Sequence, residues 1–136
     1  MIEIRRVYDD PSGRRKEVRF LIERLWPRGI KKESLDLSGG WLKEAAPSTA
    51  LRRWFGHDPG RWTEFRRRYR AELDAHPPAW QPILEAARTH HVTLCYSARD
   101  IHHNSALVLK EYLEAKLAHA ARSAGKVDPN HQIRAK

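Results

Sequence analysis

The chain has 136 residues, enough for one domain with a real hydrophobic core. No apolar run approaches the roughly 18 residues of a membrane-spanning helix, and a single cysteine excludes an internal disulfide. A net charge of +9 favours polyanionic partners, either nucleic acid or phosphorylated metabolites, although the arginines are spread along the chain and not clustered. The start, Met1-Ile-Glu-Ile-Arg-Arg6, has no apolar signal-peptide segment, so a cytoplasmic protein is expected.

In chain order, Ile2–Tyr8 is predicted as a strand, and Asp9-Asp-Pro-Ser-Gly13 is turn chemistry. Val18–Leu25 is predicted as a second strand, ended by Pro27 and Gly29. About ten polar residues join the two, which fits either a hairpin or a wider connection between parallel strands. Ser38-Gly-Gly40 interrupts the chain again, and Trp41–Ala45 is predicted as a short helical piece. Ser48 is a candidate cap for a helix through Phe55, and Asp58 before Pro59 is one for the next helix.

The plainest helix covers 61–75, with Trp62, Phe65, Tyr69 and Leu73 on one face and Arg66, Arg67, Arg68 and Arg70 around the rest. Pro77-Pro78 ends it. Trp80–Arg88 is predicted as helix, Val92–Tyr96 as a buried strand, and Asn104 to about Arg122 as a long helix with Ala106, Leu109, Leu113 and Leu117 inward. Residues 1–122 then form one domain, and 123–136, poor in apolar residues, form a flexible basic tail. The expected class is α/β: a small, mostly parallel sheet of at least three strands flanked by helices.

Several segments resemble one family. They are Arg6-Val-Tyr-Asp9, Glu23-Arg-Leu-Trp-Pro-Arg-Gly-Ile-Lys31, Trp41-Leu-Lys-Glu44, Trp54-Phe-Gly-His57 and Thr93-Leu-Cys-Tyr-Ser-Ala-Arg-Asp100 with His103-Asn104. Together they are similar to the DUF488 family, and most similar to its short, YeaO-like branch. The resemblance covers about residues 2–117 and implies a small α/β protein of uncharacterised function, with no established activity. Transcription-regulator labels carried by some members need a helix–turn–helix and β-wing order that is absent here. Glu23 stands where the family pattern usually has Asp. Cys95 stands where an aliphatic residue is usual, which marks its thiol as packing. Longer relatives carry a Cys-His-Arg sequence where this chain has His102-His103-Asn104, so a thiol mechanism does not transfer.

Both predicted strands 18–25 and 92–96 end abruptly in polar residues, and the C-terminal ends of parallel strands are where α/β sheets hold ligands. Ser97–Asn104 runs into a helix start, where free N–H groups and the helix dipole attract anions, although Asp100 or Asn104 could simply cap that helix. Arg24, Trp26, Arg28, Ser97, Arg99 and Asn104 are therefore the candidate ligand-binding residues. Because neighbouring strand residues face opposite sides, only one of Glu23 and Arg24 points at a given face, and the other can serve a structural ion pair. Glu23, His57 and His103 are the candidate catalytic residues: Glu23 or His57 would serve as base, His57 because imidazole titrates near neutrality, and His103 with Asn104 would polarise or orient the anion. The adjacent pair His102-His103 has the wrong spacing for two ligands on one helix face, so no metal site is expected, and the sequence identifies no cofactor.

The expected function is binding of a small phosphate- or nucleotide-like anion at the strand ends, with hydrolase or transferase chemistry left open. The alternative is a non-catalytic nucleic-acid-binding protein using the Arg61–Arg70 face.

Overall fold

The computed structural model describes residues 1–10 and 16–125. Four parallel strands form one sheet in the order β1-β4-β2-β3, where β1 is Ile2–Arg6, β2 Glu17–Leu21, β3 Gly40–Trp41 and β4 His91–Tyr96. The helices are α1 (Thr49–Phe55), α2 (Trp62–Ala75), α3 (Gln81–Ala87) and α4 (Ser105–Gly125). The α/β class and the parallel sheet agree with the sequence reading. The hairpin option is excluded, because β4 lies between β1 and β2 and pairs with both.

Two details differ from the sequence expectation. Trp41–Ala45 is not one helical piece: Gly40–Trp41 pairs with Phe20–Leu21 as the edge strand, and only Lys43–Ala45 makes a 3-10 turn. A Cβ at Gly39 would meet the Phe20 ring at 2.6 Å, and Gly40 has φ +97°, so this approach of β3 to β2 requires glycine at both positions. Strand β2 also stops at Leu21 and not at Leu25. The Ile22 N–H still reaches the Cys95 carbonyl at 3.2 Å, and then the chain bends at Glu23. Most of the expected tail, 126–136, lies outside the described residues, and α4 continues to Gly125.

The strand alternation divides the sheet into two faces. Ile2, Val18, Phe20, Val92, Leu94 and Tyr96 join the main core with residues of all four helices, among them Leu51, Phe65, Tyr69, Ile83 and Leu109. On the opposite face Val7, Leu21, Leu35 and Cys95 form a second, smaller core, closed by Trp26, Ile30, Leu37 and Trp41. Burial pushes the Cys95 thiol up to about 11, which leaves it a packing group at neutral pH. At its polar end this face buries Arg19, which donates to the carbonyls of Asp36 at 2.8 Å and Asp10 at 2.6 Å. No helix among the described residues is long and apolar enough to cross a membrane.

Gly39→Ala drives a methyl group into the buried Phe20 ring. It is expected to destabilise the fold by about 1–3 kcal/mol, read as a lowered urea midpoint at an unchanged slope.

Candidate functional site

The strand ends open into one cleft of about 770 Å³. Its floor comes from the ends of β2 and β4, at Glu23 and Ser97, and from the following turn, Ala98, Arg99 and Asp100. One wall is α1 and the turn after it, with Arg52, Arg53, Phe55 and His57. The other is the start of α4, with His103, Asn104 and Ser105. Leu25, Ala46, Pro47 and Phe65 add apolar surface.

Glu23 is held at both ends. The Trp41 indole N–H donates to its carbonyl at 2.6 Å, and the Ser97 N–H donates to its carboxylate at 3.1 Å. Loss of hydration pushes this carboxyl above the ordinary range, outweighing the Ser97 N–H and the nearby Arg52 and His57 charges that pull it down.

Helix α1 is set by Ser48, whose hydroxyl accepts the Leu51 N–H at 3.1 Å and donates to Glu72 of α2 at 2.6 Å. Gly56 ends the helix at φ +54°, and His57 follows at φ +57°. A left-handed conformation costs a non-glycine residue about 1–2 kcal/mol. The chain accepts this strain where His57 lines the cleft, a pattern often met at functional positions.

The turn before α4 is ordered by its own side chains. Asp100 accepts the N–H groups of His102 at 2.9 Å and His103 at 3.0 Å, and its other oxygen lies 3.0 Å from His103 Nδ1. These contacts, the His102 N–H first, hold the Asp100 carboxyl below its ordinary range. The His103 ring stands edge-on against Trp62, with centroids 5.2 Å apart. In the tautomer that donates Nδ1–H to Asp100, Nε2 is left as a hydrogen-bond acceptor. Asn104 is buried and caps α4: it accepts the Leu107 N–H at 2.9 Å and donates to the Asp100 carbonyl at 3.0 Å. Its amide is committed to the fold, as the capping alternative supposed.

Of the residues singled out from sequence, Glu23, His57, Ser97, Arg99, His103 and Asn104 converge on the cleft, whereas Arg24, Trp26 and Arg28 do not line it. Arg24 is spent on the carbonyls of Pro47 at 3.0 Å and Ala46 at 3.1 Å and on Glu44 at 3.2 Å. Trp26 packs edge-on to Trp41 and donates to the Ile30 carbonyl at 2.6 Å. The Arg28 carbonyl accepts the Tyr8 hydroxyl at 2.7 Å. Arg52 and Arg53 went unnoticed in the sequence, since only tertiary packing brings α1 over the strand ends. No group of three or more metal-ligating side chains occurs among the described residues.

The free cations are unevenly placed. Among the described residues most arginines are ion-paired, including Arg66 and Arg70 with Glu111 and Arg67 and Arg68 with Glu64, whose carboxyl these two guanidinium groups pull down to about 2. Among the described residues Arg28, Arg52, Arg53, Arg99 and Arg122 make no ion pair, and three of these five, Arg52, Arg53 and Arg99, line the cleft.

A parallel sheet with helices on one face and a cleft at its strand ends defines a small α/β protein. Residues 1–131 match the family described as the inactive DUF488-N3 subclade. The chain belongs to this DUF488 family. It is 41% identical over 114 residues to the uncharacterized protein YeaO of Escherichia coli, covering 84% of this chain and 97% of YeaO. It is 42% identical over 72 residues to uncharacterized proteins of Mycobacterium bovis and Mycobacterium tuberculosis, covering 53% of this chain and 59% of each relative. No solved structure matches the chain.

Because the folded protein raises the Glu23 carboxyl, the native state holds that proton more tightly than the unfolded chain. Stability therefore falls as pH rises from the unfolded value through the folded one. Glu23→Gln removes the ionisation and keeps an acceptor for the Ser97 N–H. The variant is expected to melt above the wild type at pH 7, with the gap closing as pH falls through the ordinary carboxyl range, where both forms of the chain are protonated. A gap independent of pH in paired melting curves would show that Glu23 ionisation carries no cost.

Proposed function

We propose that this protein binds a small anionic ligand, phosphate- or nucleotide-like, in the cleft at the ends of β2 and β4. The observation that carries the reading is the placement of Arg52, Arg53 and Arg99, three arginines without an ion pair, around one cleft in a chain that pairs most of its other arginines. A volume of about 770 Å³ is ample for a nucleotide-sized molecule, and the apolar side formed by Leu25, Pro47, Phe55 and Phe65 suits a ring. The start of α4 adds the positive end of a helix dipole.

Binding without turnover is the form favoured here, because the matching subclade is described as inactive. Hydrolase or transferase chemistry would need the Asp100–His103 pair to act on the ligand. That pair is aligned, so activity assays belong beside the binding assay. A cytoplasmic address fits a metabolite of this kind. The nucleic-acid alternative has less behind it, since Arg66, Arg67, Arg68 and Arg70 are each ion-paired with Glu64 or Glu111, which halves the net positive charge of that face.

Inorganic phosphate and nucleoside monophosphates at millimolar concentration are expected to raise the melting temperature by mass action on the folded state. Arg52→Ala and Arg99→Ala each reduce that shift; the exposed Arg99 leaves the starting melting temperature unchanged, whereas loss of Arg52 also removes a charge that offsets the burial of Glu23. Absence of any shift with all of these anions, at low salt, removes the proposal. Tight DNA or RNA binding abolished by Arg66→Glu and Arg67→Glu would favour the alternative.

A further inference from the structure

Glu23 is out of place in a cleft built only for a bare anion. It faces the same space as Arg52, Arg53 and Arg99, and a carboxylate there repels the charge that the arginines attract. It is not neutralised by a salt bridge: Arg52 and His57 act on it through space, and neither is within ion-pair distance. Among the described residues all of its carboxylate hydrogen bonding comes from Ser97. A carboxylate offers about four acceptor sites, so at least two remain open toward the cleft. The Trp41 indole fixes its backbone carbonyl, and the Ser97 N–H holds its carboxylate at the edge of the cleft. A fixed, half-buried acceptor beside free guanidinium groups is matched by a ligand with two ends, one anionic and one donating hydrogen bonds.

We propose that Glu23 is a specificity-determining residue that selects nucleoside phosphates presenting a pair of adjacent hydrogen-bond donors over inorganic phosphate. This rests on the anion-binding reading of the cleft. Two parts of a nucleotide carry such a pair: the N1–H and amino edge of a guanine-type base, and the cis-diol of ribose. Charge-assisted bonds to a carboxylate are about twice as strong as neutral ones and are worth most where water is excluded. A ligand lacking the donors leaves the desolvated carboxylate unsatisfied, so discrimination comes from that penalty as well as from the bonds gained.

The test titrates wild type and Glu23→Gln by calorimetry with guanosine monophosphate, its 2′-deoxy form, inosine monophosphate and inorganic phosphate. Gln keeps an oxygen for the Ser97 N–H but can turn its amide N–H groups, donors in place of acceptors, toward the cleft. The variant is expected to weaken the guanosine ligand by on the order of tenfold or more, while phosphate binds equally or more tightly because a like charge is gone. If the base edge is the source, inosine monophosphate loses affinity for the wild type and the deoxy form does not; if the ribose is the source, the order reverses. Equal changes for all four ligands would overturn the role of Glu23 and leave anion binding standing. No binding of any ligand by wild type would overturn both readings. Melting curves of the two proteins show that the variant is folded.

Discussion

Strand β4 is the element on which the sheet depends. It forms a full parallel ladder with β1 on one side, Ile2 opposite Val92, and with β2 on the other, Val18 opposite that same Val92. Among the described residues, the two-residue contact of β2 with β3 is the one pairing that does not involve β4. The β1–β4 ladder closes a loop of some ninety residues, Ile2 to Val92, and the entropy of that closure has to be met by burial. This explains the composition of β4: every residue from Val92 to Tyr96 is buried, with Val92, Leu94 and Tyr96 in the main core and Cys95 in the smaller one. Because all strands run the same way, β2 and β4 finish side by side, and the residues just past them, Glu23 and Ser97, meet. The Ser97 N–H to Glu23 bond is thus a direct product of the sheet register and also the floor of the cleft.

The balance of charge follows from where carboxylates are within reach. Along α2 each arginine has a Glu in range, either Glu64 a turn earlier or Glu111 from α4. Such exposed pairs add little stability, and two carboxylates among four arginines lower the positive charge of that face without cancelling it. On α1 the first turn has no acidic residue, and Arg52 and Arg53 face outward into the cleft. The acidic groups nearby, Glu23 and Asp100, are both engaged by backbone N–H groups. The cleft therefore keeps its cations free while its carboxylates are held by the backbone. That difference sets the cleft apart from the arginine-rich face of α2.

Much of this was legible in the sequence, for reasons that can be assigned. The run Val92–Tyr96 and the stripe Trp62, Phe65, Tyr69, Leu73 are strongly periodic, and the structure uses them as strand and buried helix face. Strand β3 was not legible. Two residues carry no period, and what makes them a strand is the close approach of Gly39 to Phe20. The end of β2 was overshot because Ile22 and Leu25 extend its apolar pattern; Ile22 is indeed core, but Leu25 is 69% exposed after the bend. At the cleft, residues immediately past a strand could be placed from sequence. Arg24 and Trp26 look the same in sequence and differ only in which carbonyls lie within reach, and that depends on the path of residues 30–47.

The turn before α4 constrains how the cleft can work. A helix start of this kind commonly holds an anion with its backbone N–H groups. Here the N–H groups of His102 and His103 are already taken by Asp100, and that of Leu107 by Asn104. The protein's own side chains occupy much of the place that a phosphate takes in a loop-cradled site. An external anion must then be held chiefly by the side chains of Arg52, Arg53 and Arg99, which are long and exposed. Ordering them costs conformational entropy, and their attraction is screened by salt. Anion contacts of this sort give modest affinity and little discrimination. On the anion-binding proposal, the burden of recognition falls on the rigid groups of the cleft, Glu23 and the apolar wall, whose geometry is set by the sheet.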